Sequence, residues 1–238
     1  MALFFGASRT PSTDVLSQSL SRDLPGATMH VVEFDDSLDD QLVNLADSVL
    51  TEAEKSVFAS FSRVSRQREW LCARIAGKNA ARQWLDQHGF MGQFPDIEIG
   101  ALASGAPSLA RLPASISLAH TTHIAVAVVS DQPVGVDVEL ADRSVHRLGR
   151  ALSPSERDDC EKFGRRPLEV FMAKEAAGKA LGIGLAGSPG AFSAIFDGQD
   201  WWVSGPDLRE PALPVRIFAH GVHVIAICRG SSSVIEQA

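Results

Sequence analysis

The sequence repeats itself. LTEAEK at Leu50–Lys55 returns as LSPSER at Leu152–Arg157, and EWLCAR at Glu69–Arg74 returns as EVFMAK at Glu169–Lys174, in the same order and about one hundred residues later. Self-similarity at a fixed distance constrains the fold before any single element is assigned. It predicts two halves on one plan: a strand, a capped helix, a longer helix, then further strands. The expected fold is therefore α+β, a pseudo-dimer of two similar halves, residues 1–131 and 132–238, with a ligand cleft between them.

Local signals fill in that plan. Met29–Phe34 (MHVVEF) reads as a strand, after a Ser/Thr/Pro-rich stretch to which no role is assigned. Thr51 with Glu54, and Ser153 with Glu156, are capping boxes, the second with Pro154 at the first helical position. Longer helices are expected from about Ser65 to His88, stopped by Gly89, and from Arg166-Pro167 to Leu181. Ser115–Ala119, His123–Val129, Val134–Leu140, Val215–Ala219 and Val222–Cys228 read as strands, the last two turned at His220-Gly221.

Composition bounds the function classes. A chain of 238 residues, 45% hydrophobic and 21% charged, is ordinary for a globular protein with a real core. Its net charge of −7 argues against binding to nucleic acid or to an anionic membrane surface. Cys72, Cys160 and Cys228 are odd in number and widely spaced, and read as reduced thiols of a cytoplasmic protein. The N-terminus lacks a basic region before an apolar run, and no run approaches the roughly 20 residues that span a bilayer.

The chemistry lies in two short segments. In Val134-Gly135-Val136-Asp137-Val138-Glu139, strand alternation points Asp137 and Glu139 to the same face, roughly 7 Å apart, and the valines to the other. Adjacent carboxylates repel and lose hydration, so they call for a cation, and a sparse all-oxygen set suits Mg²⁺. The alternative is a solvated acidic edge strand. In Phe171-Met172-Ala173-Lys174-Glu175-Ala176-Ala177-Gly178-Lys179, Glu175 and Lys179 share a helix face, as an exposed ion pair also would. Gly178 in mid-helix costs up to about 1 kcal/mol and makes sense only where something approaches the backbone.

GVDVE and FMAKEAAGK together resemble the two signature motifs of the phosphopantetheinyl transferases, the larger monomeric type, and Asp137 and Glu175 are 38 residues apart. The resemblance implies Mg²⁺ on Asp137, Glu139 and Glu175, Glu175 as acceptor of the attacking serine's proton, and Lys179 on the leaving phosphate. It implies coenzyme A as co-substrate and an apo acyl or peptidyl carrier protein as acceptor. His120 in Ser117-Leu118-Ala119-His120 matches a histidine that contacts a coenzyme A phosphate. Arg68 and Arg74 match arginines near the 3′-phosphate, Arg68 the better. Gly105-Ala106-Pro107 lacks the lysine of a G-(K/R)-P segment, for which Arg111 or Lys78 could substitute. Arg143, Arg147 and Arg150 form a basic strip suited to an acidic carrier. His120-x-x-His123 and His220-x-x-His223 are not read as zinc sites, since three-residue spacing on a strand places the rings on opposite faces. Two other readings use the same residues: a different Mg²⁺-dependent nucleotide phosphotransferase, or an inactive relative that binds coenzyme A or carrier protein.

Overall fold

The computed structural model of the chain describes residues 24, 26–89, 96–144, 152–185, 188–206 and 211–230. Helices and antiparallel sheets both contribute, as expected for α+β. β1 (Ala27–Glu33) leads through a 3-10 turn (Asp36–Gln41) to α1 (Leu42–Val49), α2 (Glu52–Ser60) and the long α3 (Val64–Gln87). Short strands β2 (Ile99–Ala101) and β3 (Pro107–Leu109) precede β4 (Ser115–Thr121), β5 (Ile124–Ser130) and β6 (Val134–Leu140). Then come α4 (Pro154–Phe163), α5 (Pro167–Ala180), β7 (Ser193–Phe196), β8 (Trp201–Ser204), β9 (Leu213–His220) and β10 (His223–Arg229).

The strands form a sheet in the order β1-β5-β4 and a larger one in the order β6-β10-β9-β8-β7. Their inner faces meet. Met29, Val31, Ile124, Val126 and Val128 of the first pack against Val136, Val138, Ile225 and Ile227 of the second. On the outer faces, α3 covers Ala125, Ala127 and Val129, while α5 covers Val215, Ala226 and Cys228. The layers thus run helix, sheet, sheet, helix. This explains why β5, buried on both faces, reads as an unbroken apolar run without alternation.

Both capping boxes form, and each glutamate does more than cap. Glu54 accepts from Thr51 N, from Ile99 N and from the buried Lys78 Nζ at 2.6 Å. Glu156 accepts from Ser153 N, from Ala194 N and from the buried Lys174 Nζ at 2.7 Å. Charges this deeply buried persist only when paired and hydrogen-bonded. Lys174, the lysine before Glu175, is therefore a core residue that ties α5 to α4.

β6 and β4 lie at the abutting edges of the two sheets. The hydroxyls of Ser117 and Ser115 accept from Val136 N at 3.0 Å and Val134 N at 3.4 Å, which satisfies donors that an edge strand would leave open. That seam is where Asp137, Glu139, Glu175, Lys179 and His120, the residues singled out in the sequence, gather.

Candidate functional site

Gly135 sets the geometry. A Cβ at this position would lie 1.8 Å from the carbonyl oxygen of Ala176, so only glycine lets β6 lie directly on α5. This contact brings the strand that bears Asp137 and Glu139 against the helix that bears Glu175 and Lys179. Gly178 has a different use from a ligand approach. A Cβ there would meet Gly184 at 2.7 Å, and Gly178 O accepts from Ile183 N and Gly184 N, so the glycine admits the chain turning back after α5.

Lys179 reaches across to the strand. Its ammonium donates to Val136 O at 2.8 Å and to Asp137 Oδ1 at 3.1 Å, so the charge pair it makes is between elements. Asp137 is buried, and its Oδ2 has no hydrogen-bond partner. Burial pushes the Asp137 carboxyl above the usual range, against the pull of Lys179. Burial also raises Glu175; Lys179 opposes that rise and the charge of Asp137 adds to it. Glu139 instead bonds to the guanidinium of Arg143. Among the described residues, no group of three or more His, Cys, Asp or Glu side chains stands as a metal-holding cluster, so Asp137, Glu139 and Glu175 are neighbours without being a finished ligand set.

Across the seam, at the end of β4, His120 Nε2 lies 3.2 Å from Arg66 Nη1, and its Nδ1 lies 3.8 Å from Glu69 Oε2. Burial lowers the His120 pKa, followed by the charge of Arg66, with Lys179 and Arg74 contributing further. Arg66 and Glu69 were not picked out from the sequence. The signal for Arg66 was its spacing of four from Trp70, and of eight from Arg74, along one helix face. Arg74 stacks on Trp70 at 4.3 Å and lies 3.9 Å from Glu54. Arg68 faces elsewhere. Two residues on from Arg66, it lies about 200° round the helix and bonds Asp36 and Asp39 at 2.7 Å each, almost fully buried. The structure thus brings together Asp137, Glu139, Glu175, Lys179, His120 and Arg66, and gives Arg68 to the 3-10 turn. Of the basic strip, Arg143 pairs with Glu139, and Arg147 and Arg150 lie outside the described residues.

His220 and His223 do not lie on the opposite faces that a three-residue spacing on a strand predicts. The two residues flank a hairpin turn and are direct cross-strand partners, so they share a face. Both are buried, and His220 Nε2 bonds Glu33 at 3.1 Å. A cavity of about 1010 Å³ opens beside them, lined by Glu33, Asp35, Cys72, Ile75, His123 and His223 among others. The paired carboxylates and the lysine do not line it. The chemistry therefore locates the site better than the volume does.

A family model, the ACPS model of the 4′-phosphopantetheinyl transferase superfamily, matches residues 133–228. Among solved structures, a holo-(acyl-carrier-protein) synthase from Bacillus anthracis str. Ames, in complex with CoA (3′,5′-ADP), is 27% identical over 44% of this chain and 92% of that one, with a TM-score of 0.38. No curated protein matches the chain. No helix among the described residues is long and apolar enough to cross a membrane. The matched segment runs from β6 through α5 to β10 and so contains Asp137, Glu139, Glu175 and Lys179; over these residues the chain is similar to the 4′-phosphopantetheinyl transferase superfamily.

Proposed function

We propose that the chain transfers the 4′-phosphopantetheine group of coenzyme A to a serine of an apo carrier protein, with Mg²⁺ held by Asp137, Glu139 and Glu175, and releases 3′,5′-ADP. The observation that carries the reading is the strand–helix contact at Gly135, which sets two carboxylates and a lysine together beside a buried carboxylate oxygen without a partner. Asp137 Oδ2 is a hard donor with nothing to bond, and the neighbouring groups are oxygen donors too, so the residues fit Mg²⁺. Bound there, the ion would neutralise the pyrophosphate and orient it for in-line attack.

The protein's own groups divide the remaining work. Glu175, held above the usual carboxylate range by burial, accepts the proton as the serine oxygen forms its bond to the pantetheine-bearing phosphorus. The bond from that phosphorus to the bridging oxygen breaks, and the electron pair leaves with 3′,5′-ADP. Lys179 spends two N–H donors on Val136 and Asp137, which leaves one for the departing phosphate. Arg66 and Arg74 offer positive charge across the seam for a coenzyme phosphate, and His120, held toward its neutral form by burial and by Arg66, offers a ring N–H beside them.

The two halves form a pseudo-dimer, and the protein acts as a monomer in the cytoplasm, because one chain supplies both sides of the cleft. The repeated use of a capping glutamate that takes a buried lysine, Glu54 with Lys78 and Glu156 with Lys174, supports that reading. An acidic carrier protein is the partner, steered by the basic strip of Arg143, Arg147 and Arg150.

The reading is tested by following 3′,5′-ADP release from coenzyme A with apo carrier protein. Release should stop with excess chelator and return with added Mg²⁺. Coenzyme A left intact with every apo carrier offered would contradict it.

A further inference from the structure

Asp137, Glu139 and Glu175 stand beside Lys179 and Arg143, and these two cations are held very differently. Lys179 is tied to a backbone carbonyl as well as to Asp137 and is three-quarters buried. Arg143 sits in the turn after β6, where its amide donates to Leu140 O, and that turn folds the guanidinium back over its own strand. There it bonds Glu139, and its Cζ stands 5.9 Å from the ring of Phe171 on α5. Its charge also acts on both Asp137 and Glu175. One half-exposed guanidinium therefore bears on every carboxylate assigned to the metal and draws Glu139 to itself.

A guanidinium cannot relieve crowding by losing its proton, so a cation arriving at Glu139 meets a fixed positive charge that it must displace. We propose that Arg143 is a place-holding cation: it occupies Glu139 in the free protein, competes with the divalent ion there, and makes metal binding depend on coenzyme A. This rests on the Mg²⁺ reading given above. When the pyrophosphate arrives it supplies oxygen ligands to the metal and a new anionic partner for Arg143, so the exchange becomes favourable only with the coenzyme present.

The test uses Mn²⁺ as the divalent probe, titrated by electron paramagnetic resonance against the full chain, with and without coenzyme A. In Arg143→Ala, Mn²⁺ affinity without coenzyme should rise at least about fivefold, the lower end of ordinary coupling between sites. The gain in affinity on adding coenzyme should shrink by the same factor. In a Glu139→Gln background, Arg143→Ala should change both quantities much less, because the contest is chiefly for Glu139 and only the longer-range charge on Asp137 and Glu175 remains. Equal coenzyme-free affinities in wild type and Arg143→Ala, with wild type still gaining from coenzyme, would overturn the role of Arg143 and leave the metal reading standing. No Mn²⁺ binding by wild type even with coenzyme A would overturn the metal reading, and this proposal with it.

Discussion

Three arginines on one helix show how much a side chain's partner decides its meaning. Arg66, Arg68 and Arg74 are alike as letters, yet Arg66 meets His120, Arg74 lies on Trp70, and Arg68 is spent on Asp36 and Asp39. The aspartates are about thirty residues upstream in a 3-10 turn, a distance at which sequence spacing says nothing about contact. Strand and helix periodicity place Asp137 with Glu139, and Glu175 with Lys179, on shared faces, while the roles expected of them come from the resemblance. Arg66→Ala should therefore weaken the preference for coenzyme A over dephospho-coenzyme A by about tenfold, since a hydrogen bond to a charged group contributes about 1.5–3 kcal/mol. Arg68→Ala should leave that preference alone and lower unfolding stability by about 1–3 kcal/mol, the partners being able to rehydrate. Inhibition constants for the two coenzymes, measured beside urea melts, separate these outcomes; a preference lost in Arg68→Ala and kept in Arg66→Ala would reverse the assignment.

Among elements, those with local causes were legible. Both capping boxes, the stop at Gly89 and the full span of β6 follow from residues within a few positions of each other. The unforeseen pieces are short: α1, with eight residues, β2 and β3, with three each, and β7 and β8, with four each, too brief for periodicity to declare itself. Equally hidden was the use of Lys174. It reads as part of a catalytic signature, yet it is 2% exposed and bonds Glu156, itself fully buried. Lys174→Met should cost about 3–5 kcal/mol, because it strands a buried carboxylate. Turnover below the lowered melting temperature should stay within a few-fold of wild type. A variant with normal stability and no turnover would make Lys174 a reaction residue.

Over the whole molecule, the helix–sheet–sheet–helix layering follows from where the valines and alanines fall. The repeat pointed to two halves, but the abutting edges of β4 and β6, sealed by Ser115 and Ser117, were not visible in it. Burial on this scale also sets a pH response. His30, His120 and His223 all have their pKa lowered, first by burial. As pH falls through about 6.5, the unfolded chain takes up protons that the folded chain resists, so stability falls with pH in this window. The melting temperature should drop between pH 7.5 and 6, and His30→Gln should flatten the slope. A melting temperature that rises over the same interval would contradict this account. The raised carboxyls of Asp137 and Glu175 act in the opposite direction, at lower pH.

The central claim is that Asp137, beside Glu175 and Lys179, drives transfer to a carrier serine. Its most direct test is the intact mass of an apo carrier protein after incubation with this chain, coenzyme A and Mg²⁺. With wild type, the carrier should gain one phosphopantetheine group at a serine. With Asp137→Asn, which keeps the shape and removes the charge, the rate of that gain should fall at least about 100-fold, the scale on which a preorganised electrostatic group contributes. An unmodified carrier with wild type, or an equal rate with Asp137→Asn, would contradict the account.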